Sequence, residues 1–268
     1  MKPALLPALL LALAALAALC GTAAQAQEAF AQARARGELR VGVPALAPAP
    51  VAGAKLRTPE GLEQPAAARL AERLGLPLVL VEVPAAQAQA ALAEGRADVV
   101  LAERADGTAP EQGWVGSRYT VQPKAVIRSD TPMRNWSQAA GKRVCMARAN
   151  TRAQALARAH DAVVQPYRVP SDALVAVREG QCDIALIDDG VWNALMRFPE
   201  WRKFSSTLPP EGRRAELGWL APAPEAAWLQ SEMRTWQANG SWNAMTAKWA
   251  RDVAFDVYLD QEVPDCHG

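Results

Sequence analysis

Apolar positions recur along this chain with two different periods, and the changes from one period to the other mark its elements. Leu39-Arg40-Val41-Gly42-Val43 alternates apolar with polar and carries β-branched residues, so it reads as a strand. A loop rich in Pro and Ala follows over residues 44–59. From residue 61 to 74 the apolar side chains Leu62, Ala66, Leu70 and Leu74 fall at helical spacing, and Gly75 stands where a helix-ending glycine belongs. Residues 78–83 form a buried-strand run, residues 86–94 an alanine-rich helix ended by Gly95, and residues 97–101 another buried strand. Strand, helix, strand, helix, strand predicts a parallel sheet, because parallel neighbours can be joined only by a crossover.

The same order restarts after residues 119–129, which read as an extended crossing. Strands are predicted at 143–147, 163–169 and 184–188, with helices between them at 151–160 and 171–179 and Gly180 as the stop of the second. A second α/β lobe follows from this, repeating the first in element order and not in residues. A short extended stretch at 218–221 is expected to cross back, and two helices, 225–239 and 242–250, to complete the first lobe.

Composition narrows what such a chain does. With 268 residues, 50% hydrophobic and 21% charged, it has the core of one large domain or two small ones, which excludes a disordered or collagen-like polymer. Its 29 Lys+Arg against 28 Asp+Glu leave no basic excess of the kind nucleic acid selects. Only two histidines, His160 and His267, are present, too few for a multi-histidine metal site or a Ser/His/Asp relay. No metal and no cofactor are expected.

Residues 1–26 read as an export signal. Lys2 is the positive start, an apolar run over 4–19 is interrupted only by Pro7, and Ala24-Gln25-Ala26 is a small-x-small cleavage site. The run is shorter than the ~20 residues a membrane span needs, and the bulky Leu19 before Cys20 argues against lipoprotein processing. A cleaved chain beginning at Gln27 in a bacterial periplasm is expected. Loss of Lys2 leaves 28 positive against 28 negative side chains, and Cys145, Cys182 and Cys266 in an oxidising compartment allow one pair and one remainder. Adjacent Cys266 and His267 at a terminus cannot close a tetrahedral metal site.

Several segments, taken in order, resemble the periplasmic solute-binding proteins of the amino-acid ABC-transporter type, bacterial extracellular solute-binding protein family 3. They begin with Arg36-Gly37-Glu38-Leu39-Arg40-Val41-Gly42-Val43, then Glu60-Gly61-Leu62 leading into residues 67–75, Leu92-Ala93-Glu94-Gly95-Arg96-Ala97-Asp98-Val99 and Ser117-Arg118-Tyr119. Gly141-Lys142-Arg143-Val144-Cys145, Gly180-Gln181-Cys182-Asp183-Ile184-Ala185-Leu186-Ile187-Asp188-Asp189 and Asn239-Gly240-Ser241-Trp242 complete the set. The resemblance implies an α/β fold of two lobes, each a parallel-rich sheet flanked by helices, joined by two crossing strands. It divides the chain into lobe 1, residues 27–124 and 218–268, and lobe 2, residues 125–217. It further implies a monomer that captures a small polar solute by hinge closure and hands it to the membrane permease of an ABC importer. A few exported relatives are dehydratases of cyclic amino-acid precursors, for which Glu103, Asp106 and Asp188 are the acid/base candidates by position, and a ligand-sensing module is a third class.

Site residues follow the same resemblance. Asn150-Thr151, directly after a strand, corresponds to a turn that holds the ligand carboxylate at a helix N-terminus, although either side chain equally suits an ordinary helix cap. Asp188 corresponds to a carboxylate that pairs with the ligand's amino group, with Asp189 as the alternative helix cap. Cys145 and Cys182 correspond to a disulfide of general amino-acid binders. One departure stands out: where relatives that bind α-amino acids carry Arg in a Thr-x-x-Arg stretch, this chain reads Thr108-Ala109-Pro110-Glu111-Gln112. An amide cannot replace the bidentate grip of a guanidinium. Arg104 or Arg118 is the substitute to look for, and Arg104 is also placed to neutralise Glu103. With Gln112 uncharged and Glu103 and Asp188 facing a closed cleft, the expected ligand is cationic or carries an amino group, with a standard α-amino acid held mainly by the second lobe as the alternative.

Overall fold

A computed structural model describes residues 29–46 and 61–260, so the expected signal at 1–26 and the Cys266-His267 tail lie outside the described residues. A short helix, α1 (Ala31–Arg36), ends at Gly37 and leads into β1 (Leu39–Val43). Helix α2 (Glu63–Leu74) presents Ala66, Ala67, Leu70, Ala71 and Leu74 to the core and stops at Gly75, whose left-handed φ of 66° lets its N–H reach back to the last turn. Then come β2 (Leu78–Glu82), α3 (Ala88–Ala93), β3 (Val99–Ala105) and β4 (Trp114–Val121). Beyond Gln122 lie β5 (Pro123–Arg128), β6 (Arg143–Ala147), α4 (Thr151–Ala159), β7 (Val163–Tyr167), α5 (Pro170–Arg178) and β8 (Ile184–Asp188). Helices α6 (Asp189–Leu195) and α7 (Pro199–Phe204) precede β9 (Ser205–Thr207), β10 (Ala215–Leu220), α8 (Ala223–Ala238) and α9 (Ser241–Asp260).

The strands build two five-stranded sheets, ordered β2-β1-β3-β10-β4 and β7-β6-β8-β5-β9. In each, four strands run the same way and one runs against them: β10 lies between β3 and β4, and β5 between β8 and β9. The chain therefore passes from one lobe to the other twice, once at Gln122 between β4 and β5, and again over residues 208–214 between β9 and β10. Both passages are tied to the start of α6. Asp189 accepts the Gln122 N–H at 3.2 Å and an Arg214 Nη2–H at 2.9 Å, while its own N–H donates to the Gln122 carbonyl at 3.1 Å.

Cys145 in β6 and Cys182 just ahead of β8 are joined by a disulfide, with Cα atoms 6.1 Å apart, as the resemblance implied. The parallel pairing of β6 with β8 brings them together, setting Cys145 beside Ala185. Three clusters form the interior. One joins Leu39, Val41, Leu70, Leu101 and Trp219 of lobe 1 to Leu174, Ile187 and Trp201 of lobe 2, through Trp249, Val253, Ala254 and Val257 of α9. Helix α9 runs to residue 260, ten residues past the predicted 250, because Val253, Ala254 and Val257 give it a second apolar turn. It packs on α5 and α6 of lobe 2 as well as on α8, so the last helix touches both lobes. Among the described residues no helix is long and apolar enough to cross a membrane.

Candidate functional site: an acidic cleft between the lobes

Parallel strands of both lobes end facing a common cavity of about 40 Å3. Glu63, Glu103 and Tyr119 line it from lobe 1, Asn150 and Asp188 from lobe 2, and Trp249 from α9. A neighbouring cavity of about 240 Å3, lined by Val43, Pro44 and Leu46, shares Gly61, Glu63 and Ala149 with the first.

Each polar group is placed by a local rule. Asn150 caps α4, its Oδ1 accepting the Ala153 N–H at 2.9 Å, which leaves Nδ2 to donate to Asp188 Oδ1 at 3.4 Å. Asp188 ends β8 and stands at the cap position of α6, yet its side chain caps nothing. Its carboxylate turns to the cleft instead. Asp189 does not cap either; it holds the crossings. Glu63 opens α2, where a carboxylate complements the positive end of the helix, and its Oε2 folds back over Gly61 into space that a Cβ there would occupy. Glu103 faces the cleft because β3 continues to Ala105; the predicted strand ended at 101, short of the side chain that matters.

Among the described residues, one cation stands with these acids. Arg152, in the first turn of α4, donates Nε–H to Glu103 Oε2 and Nη2–H to Glu103 Oε1 at 2.8 Å, and its Nη2 lies 3.6 Å from Asp188 Oδ1. Burial weakens its charge, but the bond to Glu103 and the charges of Glu103, Asp188 and Glu63 outweigh that and hold its pKa above the ordinary value. Burial in the cleft, followed by the charge of Glu103, pushes Glu63 up to about 7. The same two causes push Asp188 up to about 7, against the pull of Arg152. Tyr119, whose buried hydroxyl has no hydrogen-bond partner among the described residues, is raised by burial and then by Asp188. With every group ionised, three carboxylates face one guanidinium among the described residues.

The arrangement is that of a known architecture. No protein-family model matches the chain, and no curated protein does. Solved structures do. An ArgBP mutant from T. maritima matches at 18% identity and TM-score 0.55, covering 82% of this chain and 98% of that one. The substrate binding protein of an amino acid ABC transporter matches at 19% identity and TM-score 0.53, covering 80% and 99%. A third, the ancestral amino acid-binding protein AncCDT-1, a precursor of cyclohexadienyl dehydratase, matches at 19% identity and TM-score 0.55, covering 82% and 98%. The chain has the two-lobe periplasmic-binding fold.

Within that fold the expected residues divide. Asp188, Asn150 and Glu103 meet at the cleft. Thr151 begins α4 but is exposed and is not part of the cavity wall. Arg104 departs from its expected place: neighbouring side chains of a strand point to opposite faces, so with Glu103 inward Arg104 points away, donating Nη2–H to Glu216 at 2.9 Å and Nη1–H to the Thr108 carbonyl at 3.1 Å. Arg118 is exposed in a left-handed conformation, with its backbone N–H on Glu216. Asp106 is exposed outside the cavity, and Gln112 lines a separate one on the far side of lobe 1. The cation that neutralises Glu103 is therefore Arg152, from the opposite lobe. Sequence reasoning passed over Arg152 and Glu63. The one signal for both was position, since each falls in the first turn of a helix that follows a strand. Among the described residues no group of three His, Cys, Asp or Glu is arranged to hold a metal ion.

Proposed function

We propose that this chain captures a small amine-bearing solute between its lobes and delivers it to the permease of an ABC importer in the periplasm, as a monomer and without chemistry. The observation that carries the reading is the charge of the cleft: among the described residues, Glu63, Glu103 and Asp188 stand against Arg152 alone. An uncompensated charge in a closed cleft costs several kcal/mol, so the occupant that closes it best is one that brings positive charge. Asp188 and Glu63, one from each lobe, take the ammonium group, Asn150 orients Asp188, and Tyr119 offers its hydroxyl. Thr151 contributes through the turn it shares with Asn150. Closure moves the sheet of β5 to β9 against the sheet of β1 to β4 and β10, about the crossings at Gln122 and 208–214.

A second reading, acid/base catalysis on a cyclic amino-acid precursor, is favoured by one observation: carboxyls poised near 7 retain a proton to donate at neutral pH. Thermal-shift screening separates the two. A ligand at 100 times its Kd stabilises by about 2.7 kcal/mol, or roughly 5–10 °C for a chain of this size. Basic amino acids and simple diamines are expected to raise Tm, with the stabilising compound recovered unchanged. Turnover of a prephenate-like substrate in the same samples establishes the enzyme instead, and stabilisation by dicarboxylates but not by amines overturns both the ligand class and the charge argument.

A further inference from the structure

The most conspicuous polar contact between the lobes is a bidentate ion pair. Arg152 reaches from the first turn of α4 in lobe 2 to both oxygens of Glu103 on β3 in lobe 1, and approaches Asp188 at 3.6 Å. Its position is locally unfavourable. The N-terminal turn of a helix repels a cation, and a side chain as long as Arg loses conformational entropy when fixed. A guanidinium held there needs compensation from outside its own helix, and Glu103 is that compensation. The pair is partly exposed, with side-chain exposures of 18% for Arg152, 26% for Glu103 and 19% for Asp188. Arg152 is nevertheless not fully satisfied: Nη1 is buried without an acceptor among the described residues, a state that folded proteins avoid.

Space points the same way. The cavity enclosed beside this pair is about 40 Å3, against roughly 300 Å3 or more for a typical small-molecule site. A larger space of about 240 Å3 adjoins it past Glu63, so a solute the size of an amino acid reaches the Glu103 and Asp188 side only when a bridging contact gives way. The bridge to Glu103 spans the cleft and already presents a cation to the carboxylates that the preceding reading assigns to the ligand.

We propose that Arg152 is an internal stand-in for the ligand's cation: it latches the empty lobes together through Glu103, and an incoming amine displaces it. Arg152 is on this account a specificity-determining residue, because a ligand must offer the acidic wall a cation at least as good as the one it removes. The identity of the ligand rests on the proposed function; the latch does not, and it is tested without the ligand.

The experiment is small-angle scattering of the unliganded full chain, wild type beside Arg152→Ala and Glu103→Gln, which remove the pair from opposite lobes. A charge-assisted bidentate pair is worth enough to shift the closed-to-open ratio about tenfold. Both variants are therefore expected to show a larger radius of gyration, and the double variant no further increase. Methylguanidinium, added at millimolar concentration as the probe, is expected to restore compact scattering to Arg152→Ala and not to Glu103→Gln. Variants that scatter like wild type overturn the latch, and the same response of both variants to methylguanidinium, compaction or none, overturns the stand-in. Far-UV circular dichroism of each variant establishes that it is folded. Failure of every amine to bind wild type would refute the proposed function and leave the latch standing.

Discussion

Two carboxyls held near 7 make the stability of the empty protein fall as pH rises. Glu63 and Asp188 start from ordinary values of 4.5 and 3.8, and burial beside Glu103 raises each to about 7. Between about pH 5 and 7 the folded chain thus keeps protons that the unfolded chain has released, so ionising these groups costs the fold more than it costs the coil. One proton over two pH units corresponds to about 3 kcal/mol, and since the groups repel one another's charge we take that figure for the pair together. At roughly 2–4 °C per kcal/mol, Tm should drop about 6–12 °C between pH 5 and pH 8 from this source. The assay is thermal unfolding across that range for wild type, Glu63→Gln and Asp188→Asn. Each substitution should flatten the profile, and the variants should match or exceed wild-type stability at pH 8. Profiles of equal slope in the three, or a Tm that rises with pH, would refute the placement of these carboxyls in a poorly solvated cleft.

The other predictions concern the frame that holds the cleft. Replacing Cys145 and Cys182 together by Ala opens a loop of 37 residues and should cost about 4 kcal/mol, read as a lower Tm; two free thiols in a non-reducing peptide map of the exported protein would contradict the bridge. Asp189→Ala leaves Arg214 Nη2 and the Gln122 amide without the carboxylate they donate to, and should destabilise by about 1–3 kcal/mol while increasing hydrogen exchange at both crossings. Trp249→Ala empties a site shared by the cleft and the α9 core, for a loss of about 3–5 kcal/mol; a negligible loss would mean that α9 does not join the lobes.

The periodic parts of this fold are legible in the sequence, because burial imposes the period. Leu62, Ala66, Leu70 and Leu74 mark α2, and the strand runs at 78–83 and 184–188 lie where β2 and β8 are found. Asp188 and Asn150 are legible for a different reason, as polar residues at the ends of strands, where a parallel sheet presents its loops. Short or irregular pieces are not legible. The three-residue β9 and the helix α6 have too few residues to show a period. Only the 218–221 end of β10 reads as extended, because Glu216 interrupts the apolar run to serve Arg104 and the Arg118 amide. Glu63 and Arg152 escape for the opposite reason. On a helix viewed alone each belongs to a solvated polar face, and only the approach of the second lobe turns that face into the wall of a site.

The central claim is that the cleft binds a positively charged group through Asp188 and Glu63. Isothermal titration of the amine with the largest thermal shift, into wild type, Asp188→Asn and Glu63→Gln at pH 6 and pH 8, tests it most directly. Because a bound cation favours the ionised carboxyls, wild type should bind more tightly at pH 8 and release protons on binding at pH 6, while Asp188→Asn should lose affinity about tenfold or more. Wild-type affinity that is independent of pH and unchanged in both variants would contradict the account.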